Sequence, residues 1–153
     1  MALKDNSMDA RPEGDWSLDS RLERDSIEIC ELALCQVRLV NDSNFPWLLL
    51  VPRCANASEI TDMTEPDRMQ LMREVTQAAE ALKAETDCDK INIAAIGNVV
   101  AQLHVHVIGR FRADLAWPKP VWGFAPARAY EAAASQKFLA SMRERLKTAQ
   151  DKR

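Results

Sequence analysis

The sequence lacks the features that mark membrane and exported proteins. No stretch approaches the 18 or so consecutive apolar residues that a transmembrane helix needs. The first 16 residues, MALKDNSMDARPEGDW, contain no apolar core of the kind found in a secretory signal. The cysteines, at positions 30, 35, 54 and 88, form no Cys-x-x-Cys pair. We interpret them as reduced, small hydrophobic residues, with a Cys30–Cys35 disulfide as the less favoured alternative. These absences predict a cytoplasmic protein with no membrane partner.

An excess of positive charge is also missing. The formal net charge at pH 7 is −3, which argues against a general nucleic-acid binder that relies on a basic field. A local site for a few phosphates remains compatible with this charge. The chain has 153 residues, of which 47% are hydrophobic, enough for one folded domain and too few to favour two. We predict a mobile tail over residues 1–15 and a single domain over residues 16–153.

Histidine is scarce, and both histidines stand in one short stretch. They are His104 and His106, within the sequence QLHVHVIGRFR of residues 102–112. Apolar and polar residues alternate here, and a period of two predicts a β-strand whose successive side chains face opposite sides. The polar set that shares one face is Gln102, His104 and His106. The apolar set that we expect to face the core is Leu103, Val105 and Val107.

Two interpretations of the polar face are open. In the first, a solvent-facing stripe on an antiparallel strand carries the histidines without further role, because His-x-His alone is a weak motif. In the second, the strand carries a reactive site, since imidazole can act as nucleophile, acid, base or metal ligand near neutral pH. Gly109 and Arg110 follow the histidines, and Arg112 comes soon after. Glycine permits close backbone approach and arginines can neutralise a phosphate, which favours the reactive site.

Further elements surround the histidine strand in a recognisable order. An Asn lies within an apolar strand, a Gly-Asn turn follows it, and a Trp-Pro pair comes after the histidines. They are Asn92, Gly97-Asn98 and Trp117-Pro118. Upstream, the sequence LLLVPR of residues 48–53 is similar to an apolar strand that ends in Val-Ile-Pro-Lys. With these residues, the stretch from about residue 34 to residue 123 resembles the histidine triad (HIT) family.

The resemblance implies an α+β fold and a reaction. The HIT-like fold has an antiparallel sheet of about five strands, a packed helix and a C-terminal helix. The implied activity is that of a nucleotide hydrolase or transferase acting on the α-phosphate of a nucleotide conjugate, such as a dinucleoside polyphosphate or a phosphoramidate. His104 matches the middle histidine and would form a nucleotidyl-histidine intermediate. His106 would donate to a phosphate oxygen or protonate the leaving group, and Gln102 would offer an amide donor that cannot shuttle protons.

We predict a set of nucleotide-binding residues, two from the same resemblance and the others from the chemistry of a Gly-Asn turn, which could equally be a turn alone, and of an arginine. Asp42 matches an acidic residue that binds ribose hydroxyls, although as a turn former it needs no such role. Asn92 matches an Asn that hydrogen-bonds the catalytic histidine region, the alternative being that it satisfies neighbouring backbone. Gly97 and Asn98 form a turn whose amides could face a phosphate, and Arg110 could neutralise one.

Two departures from the family pattern bear on activity. Gln102 stands at the first histidine position, and Val99 stands where the family often carries Ser or Thr. The first alternative is therefore a nucleotide-binding HIT-fold module with little or no turnover. The second is a metal-binding β-barrel protein that uses His104 and His106 as ligands. We expect no cofactor and no resident metal, a small-molecule nucleotide partner, no nucleic acid, and a homodimer, because relatives with this fold are commonly homodimers.

The remaining patterns predict the other elements of the fold. Residues 34–40 and 47–51 flank a turn cluster and predict a hairpin. Thr64 predicts the N-cap of a helix over Glu65–Glu85. A strand over Ile91–Ile96 should meet the histidine strand through a tight turn at Gly97-Asn98, and a second helix should span Ala127–Thr148.

Two groups of large side chains have a predicted position in the fold. A stripe at helical spacing predicts the core face of the first long helix: Met69, Met72, Val75, Ala79 and Leu82. Trp117 and Trp122 could clasp a base, cover the core or anchor a dimer, and covering the core is the favoured role.

Overall fold

In the computed structural model, which describes residues 16–151, five antiparallel strands form one sheet. The predicted tail over residues 1–15 lies outside the described residues. The strands are β1 Ser26–Glu31, β2 Cys35–Val40, β3 Trp47–Pro52, β4 Lys90–Ala94 and β5 Val105–Arg110, and their order in the sheet is β1-β2-β3-β5-β4. The helices are α1 Ser20–Asp25, α2 Glu65–Thr86 and α3 Ala132–Asp151, with a 3₁₀ turn at Ile60–Asp62. The predicted α+β fold is confirmed.

Strand order places the histidine strand inside the sheet. β2 and β3 form the predicted hairpin, and β5 then inserts between β3 and β4. His106 consequently lies opposite Leu49 on one neighbour and Ala94 on the other. A strand that is paired on both sides is a rigid platform, because both of its edges are fixed by backbone hydrogen bonds.

The connection between β4 and β5 differs from the prediction. The two strands are antiparallel neighbours, as expected, but β4 ends at Ala94 and β5 begins at Val105. Gly97 does adopt a left-handed φ of +67°. It does so within a long loop over residues 95–104, so the predicted tight turn is wrong. Because this loop ends at His104, it places more backbone beside the histidines than a two-residue turn would.

Helix α2 begins as its sequence predicts. Thr64 is the N-cap, and its hydroxyl accepts the backbone N–H of Asp67 at 3.3 Å. The helix ends where Asp87 adopts a left-handed conformation, with φ at 53°. Local capping chemistry therefore fixes both ends of the longest helix.

The buried face of α2 matches the predicted stripe in part, since Val75 and Leu82 belong to the core cluster and Ala79 packs against it. Met69 and Met72 are 52% and 63% exposed, so their placement on the core face is wrong. The buried positions include Glu74, whose carboxylate accepts the backbone N–H groups of Leu34 and Cys35 at 2.8 and 2.7 Å. A polar residue takes a core position because it accepts backbone amides where β2 begins, which the hydrophobic pattern cannot reveal.

Helix α3 starts five residues later than predicted, at Ala132 instead of Ala127. The backbone N–H of Arg128 donates to the Asp42 carboxylate at 3.1 Å, and that of Tyr130 donates to the Asn41 side chain at 3.0 Å. These amides are bound to the β2–β3 turn, so residues 127–130 are held there in an irregular segment before the helix begins.

The sheet separates two apolar layers. One face packs against α2 and α3, and it carries the predicted core set of Leu103, Val105 and Val107. The opposite face carries the histidines, and beside them Leu49, Val51 and Val100 pack against Leu22 and the N-terminal residues Trp16 and Leu18. All four cysteines lie within the described residues, and the structure joins none of them in a disulfide. No helix within residues 16–151 is both long and apolar enough to cross a bilayer.

Candidate active site

The two histidines form a buried pair. His104 is the last residue before β5 and His106 is the second residue in it. Their ring centroids are 4.9 Å apart, and the residues are only 7% and 8% exposed. A solvent-facing stripe would leave such side chains accessible, so the first interpretation of this face is wrong.

A backbone carbonyl fixes the protonation of His104. The Nδ1 atom of His104 lies 2.7 Å from the carbonyl oxygen of Gln102. Because a carbonyl oxygen can only accept, Nδ1 must donate. In the neutral ring this leaves Nε2 without a proton, and its lone pair is free to act as a nucleophile.

His106 is held in the opposite tautomer. The indole N–H of Trp47 donates to Nδ1 of His106 at 2.9 Å. An indole nitrogen can only donate, so Nδ1 of His106 accepts and the proton of the neutral ring sits on Nε2. Burial lowers the pKa of His106 to about 4, and the neighbouring His104 adds to this effect. At neutral pH, His106 is an uncharged Nε2–H donor.

The rings of Trp47 and Trp122 both pack against His106. The ring of Trp122 meets the edges of His106 and Trp47, with centroid separations of 5.1 and 5.6 Å. The indole nitrogen of Trp122 is buried and has no hydrogen-bond partner among residues 16–151. Trp122 thus lies against His106, and it also packs on the apolar cluster around Phe45 and Trp47, in keeping with the favoured role of covering the core. Trp47, diagonal to His106 across the β3–β5 ladder, is a site residue that sequence reasoning missed.

Gln102 is used to hold the N-terminal segment. Its carboxamide oxygen accepts the backbone N–H of Asp19, and its nitrogen donates to the carbonyl of Ser17, both at 2.8 Å. Arg21 donates to the carbonyl of Val99 at 3.0 Å and pairs with the Asp19 carboxylate at 2.8 Å. Hydrogen bonds from Arg21 hold the pKa of Asp19 at about 2, so this carboxylate is ionised at neutral pH. The first triad position therefore holds the N-terminal segment through its carboxamide oxygen and one of its two N–H donors.

The buried side chain of Arg110 joins strand β4 to the loop after β5 by hydrogen bonds. Its guanidinium pairs with the Asp114 carboxylate at 2.7 and 3.0 Å, and it donates to the Asn92 side chain at 2.8 Å and the Lys119 carbonyl at 2.9 Å. The residue is 1% exposed. With four of its five N–H donors used in these bonds, Arg110 holds the loop after β5. Asn92 bonds to Arg110 where a contact with the histidine region was expected. The nucleotide-binding roles of Arg110 and Asn92 stay predictions with no contact in their favour.

Comparison with known proteins identifies the family. A family model described as HIT domain matches residues 21–113, which run from α1 to just beyond β5. This chain belongs to the histidine triad family. The match includes the buried histidine pair and the loop before it.

Solved structures of HIT proteins agree with this assignment. A histidine triad protein from Bradyrhizobium japonicum is 49% identical, with a TM-score of 0.85, and the match covers 86% of this chain and 98% of that one. One from Sinorhizobium meliloti 1021 is 47% identical, with a TM-score of 0.83, and the match covers 85% and 96%. One from Marinobacter aquaeolei VT8 is 36% identical, with a TM-score of 0.85, and the match covers 88% and 98%. No curated protein matches this chain.

The remaining predicted binding residues of this HIT chain lie in turns. The Asp42 carboxylate is buried and accepts the backbone N–H groups of Asn44 and Arg128 at 3.0 and 3.1 Å. These contacts are those of a turn former. Gly97 and the exposed Asn98 lie in the loop that leads to His104. Ribose binding by Asp42 and phosphate binding by the loop stay predictions.

No metal cluster supports the metal-binding alternative. Within the described part of the HIT chain, no three or more His, Cys, Asp or Glu side chains gather closely enough to hold a metal ion. Structural zinc is almost always bound by four ligands, and catalytic zinc by three protein ligands. The histidine pair supplies two ligands, fewer than either kind of zinc site uses.

Proposed function

We propose that this HIT protein is a nucleotide hydrolase or nucleotidyltransferase that acts on the α-phosphate of a nucleotide conjugate through His104. The observation that carries the proposal is the 2.7 Å contact between Nδ1 of His104 and the Gln102 carbonyl. This contact orients the ring and leaves the Nε2 lone pair available, which a nucleophilic histidine requires.

The proposed reaction has two displacements at phosphorus. The Nε2 lone pair of His104 attacks the α-phosphorus, a P–N bond forms, and the bond to the leaving group breaks with its electron pair. The ring becomes cationic, and its Nδ1–H keeps the bond to the Gln102 carbonyl. Water, or another acceptor in a transferase, then attacks phosphorus. The P–N electron pair returns to Nε2 and the acceptor's proton passes to solvent.

His106 supplies the neighbouring donor. Its ring centroid is 4.9 Å from that of His104, and its Nε2–H is the tautomer that can donate to a phosphoryl oxygen. A donor positioned before the reaction stabilises charge that develops in the transition state, without the cost of reorienting solvent.

One observation favours the alternative of a binding module without turnover. The Gln102 carboxamide oxygen and one of its two N–H donors are bound to Asp19 and Ser17, which favours a holding role over a catalytic one at the first triad position. A HIT fold with this restriction could bind a nucleotide and leave His104 unmodified.

The decisive experiment is intact-protein mass spectrometry after a brief acid quench. Wild type and His104→Ala are mixed with dinucleoside polyphosphates, nucleoside phosphoramidates and nucleotide sugars, and circular dichroism checks that both proteins are folded. A nucleotide-sized adduct on wild type alone is expected. Binding by calorimetry with no adduct would support the binding module, and an adduct on both proteins would contradict the assignment of His104.

We propose in addition that the protein forms a homodimer, in the cytoplasm as its sequence predicts. Ile93, on the edge strand β4, and Ile96 and Val99 just beyond it are exposed large apolar residues. Exposed apolar patches often mark protein interfaces, and an uncovered edge strand invites pairing. Sedimentation analysis of wild type and Ile93→Lys tests this: a dimer that the substitution weakens is expected, and a wild-type monomer would contradict it.

A further inference from the structure

His106 accepts a hydrogen bond from a residue of the neighbouring strand β3. His106 is bound at Nδ1 by the Trp47 indole, 59 residues away in sequence. The elements packed against His106 contribute Trp47 and Leu49 from β3, Ala94 from β4, and Trp122. The titratable neighbour beside these apolar groups is His104, and a positive charge there opposes a second one on His106. The surroundings of His106 therefore favour a neutral ring with one defined tautomer.

We propose that Trp47 is a positioning residue that holds His106 as a neutral Nε2–H donor, and that the site consequently favours leaving groups that depart as phosphate oxyanions over leaving amines. This inference rests on the proposed function, since it concerns which conjugates His104 can open.

The leaving group decides whether a proton is needed. When a phosphoanhydride opens, the electron pair of the P–O bond stays on a phosphate oxygen, and the anion is stable at neutral pH without protonation. When a phosphoramidate opens, the pair stays on nitrogen, and an amine departs only if its nitrogen receives a proton. General acids supply this proton and contribute about 10²–10⁴-fold to rate.

The groups near the reacting atoms are poor sources of that proton. A neutral imidazole can hydrogen-bond to an oxygen, but giving up its proton would leave an unfavourable anion. The Gln102 carboxamide is no acid and is bound to Ser17 and Asp19. Asp19 is itself ionised through its pairing with Arg21. The site can therefore stabilise charge on a phosphoryl group while giving little help to an amine.

The first part of the test reads the tautomer directly. Histidine side chains of wild type, Trp47→Phe and Trp122→Phe are compared by ¹⁵N nuclear magnetic resonance from pH 5 to 8. His106→Asn assigns the signals. We expect wild-type His106 to be a single Nε2–H tautomer that does not titrate in this range. Trp47→Phe keeps an aromatic ring but removes the donor, so it should give mixed tautomers, whereas Trp122→Phe should keep the wild-type tautomer. An unchanged tautomer in Trp47→Phe would overturn the positioning role.

The second part measures leaving-group preference. One nucleoside monophosphate is presented as a phosphoanhydride and as an alkylamine phosphoramidate, and kcat/KM is compared. The anhydride should be preferred by about 100-fold or more, the scale of a missing general acid. Trp47→Phe should lower the ratio of kcat/KM for the anhydride to kcat/KM for the phosphoramidate. The reason is that a His106 ring that no longer accepts the indole N–H takes up a proton more readily. Equal rates for both substrates in wild type would refute the leaving-group inference.

The two parts fail separately. If neither substrate leaves an adduct on His104 or is turned over, the proposed function and the leaving-group preference both fall. The tautomer measurement needs no substrate, so it still decides whether Trp47 positions His106.

Discussion

Replacing His106 by Asn should reduce the stability that the protein loses between pH 7 and pH 5. In the folded protein, burial lowers the pKa of His106 from its usual 6.5 to about 4. Between these values the unfolded chain binds a proton that the folded chain does not, so the free energy of unfolding falls as the pH falls. The stabilisation that neutral His106 gives is therefore present at pH 7 and is lost progressively below pH 6.5.

The size of the effect follows from the two pKa values. Integrating proton binding from pH 7 to pH 5 gives a loss of about 2 kcal/mol from this one side chain. Asn cannot titrate, and its side-chain oxygen stands near the position of Nδ1, where it can still accept the Trp47 indole N–H. The variant should thus keep the local hydrogen bond and lose only the dependence on pH.

Urea unfolding followed by far-ultraviolet circular dichroism measures this difference. Wild type and His106→Asn are unfolded at pH 7 and pH 5, at one protein concentration and 25 °C. Carboxylates contribute nearly equally to both proteins and cancel in the comparison. We expect the wild-type loss to exceed the variant's loss by about 2 kcal/mol. Equal losses would refute the argument that His106 is buried and neutral.

Three further predictions concern the buried Arg110–Asp114 ion pair, the packing of α3 on the core and the hydrogen bond between Gln102 and Asp19. Asp114→Ala leaves the buried Arg110 guanidinium without its carboxylate and should cost about 3–5 kcal/mol in urea unfolding; a cost below 1 kcal/mol, the scale of exposed ion pairs, would speak against that burial. Met142→Ala opens a cavity where α3 meets the core and should cost about 2–5 kcal/mol, whereas a nearly neutral result would mean that α3 does not dock there. Gln102→Ala should speed hydrogen exchange of the Asp19 amide, which the carboxamide protects, and unchanged exchange would show that Gln102 does not hold this segment.

Local sequence signals were sufficient to predict the histidine strand, the β2–β3 hairpin and the start of α2. The alternation around Val105 and Val107, the turn cluster between β2 and β3, and the Thr64 cap each act within a few residues. Strand alternation, turn chemistry and helix capping depend on neighbours along the chain, which is why these predictions were confirmed.

The failures share a different cause. Met69 and Met72 fit a hydrophobic stripe, but Glu74 faces inward because backbone amides at Leu34 and Cys35 require an acceptor. The start of α3 is delayed by bonds to the β2–β3 turn. In both cases a polar contact between distant segments overrides a periodic pattern, and such a contact leaves no local trace.

The sequence by itself determined that the side chains of His104 and His106 lie on the same side, because side-chain direction alternates along extended backbone. Its motifs also pointed to the HIT family, although the tight turn predicted at Gly97-Asn98 is a long loop in the structure. Only the tertiary structure decided what each histidine can do. The Gln102 carbonyl and the Trp47 indole impose opposite tautomers, and the carboxamide of Gln102 is committed to residues more than 80 positions away. Proton positions on an imidazole follow its hydrogen-bond partners, and here the partner of His106 comes from a separate strand.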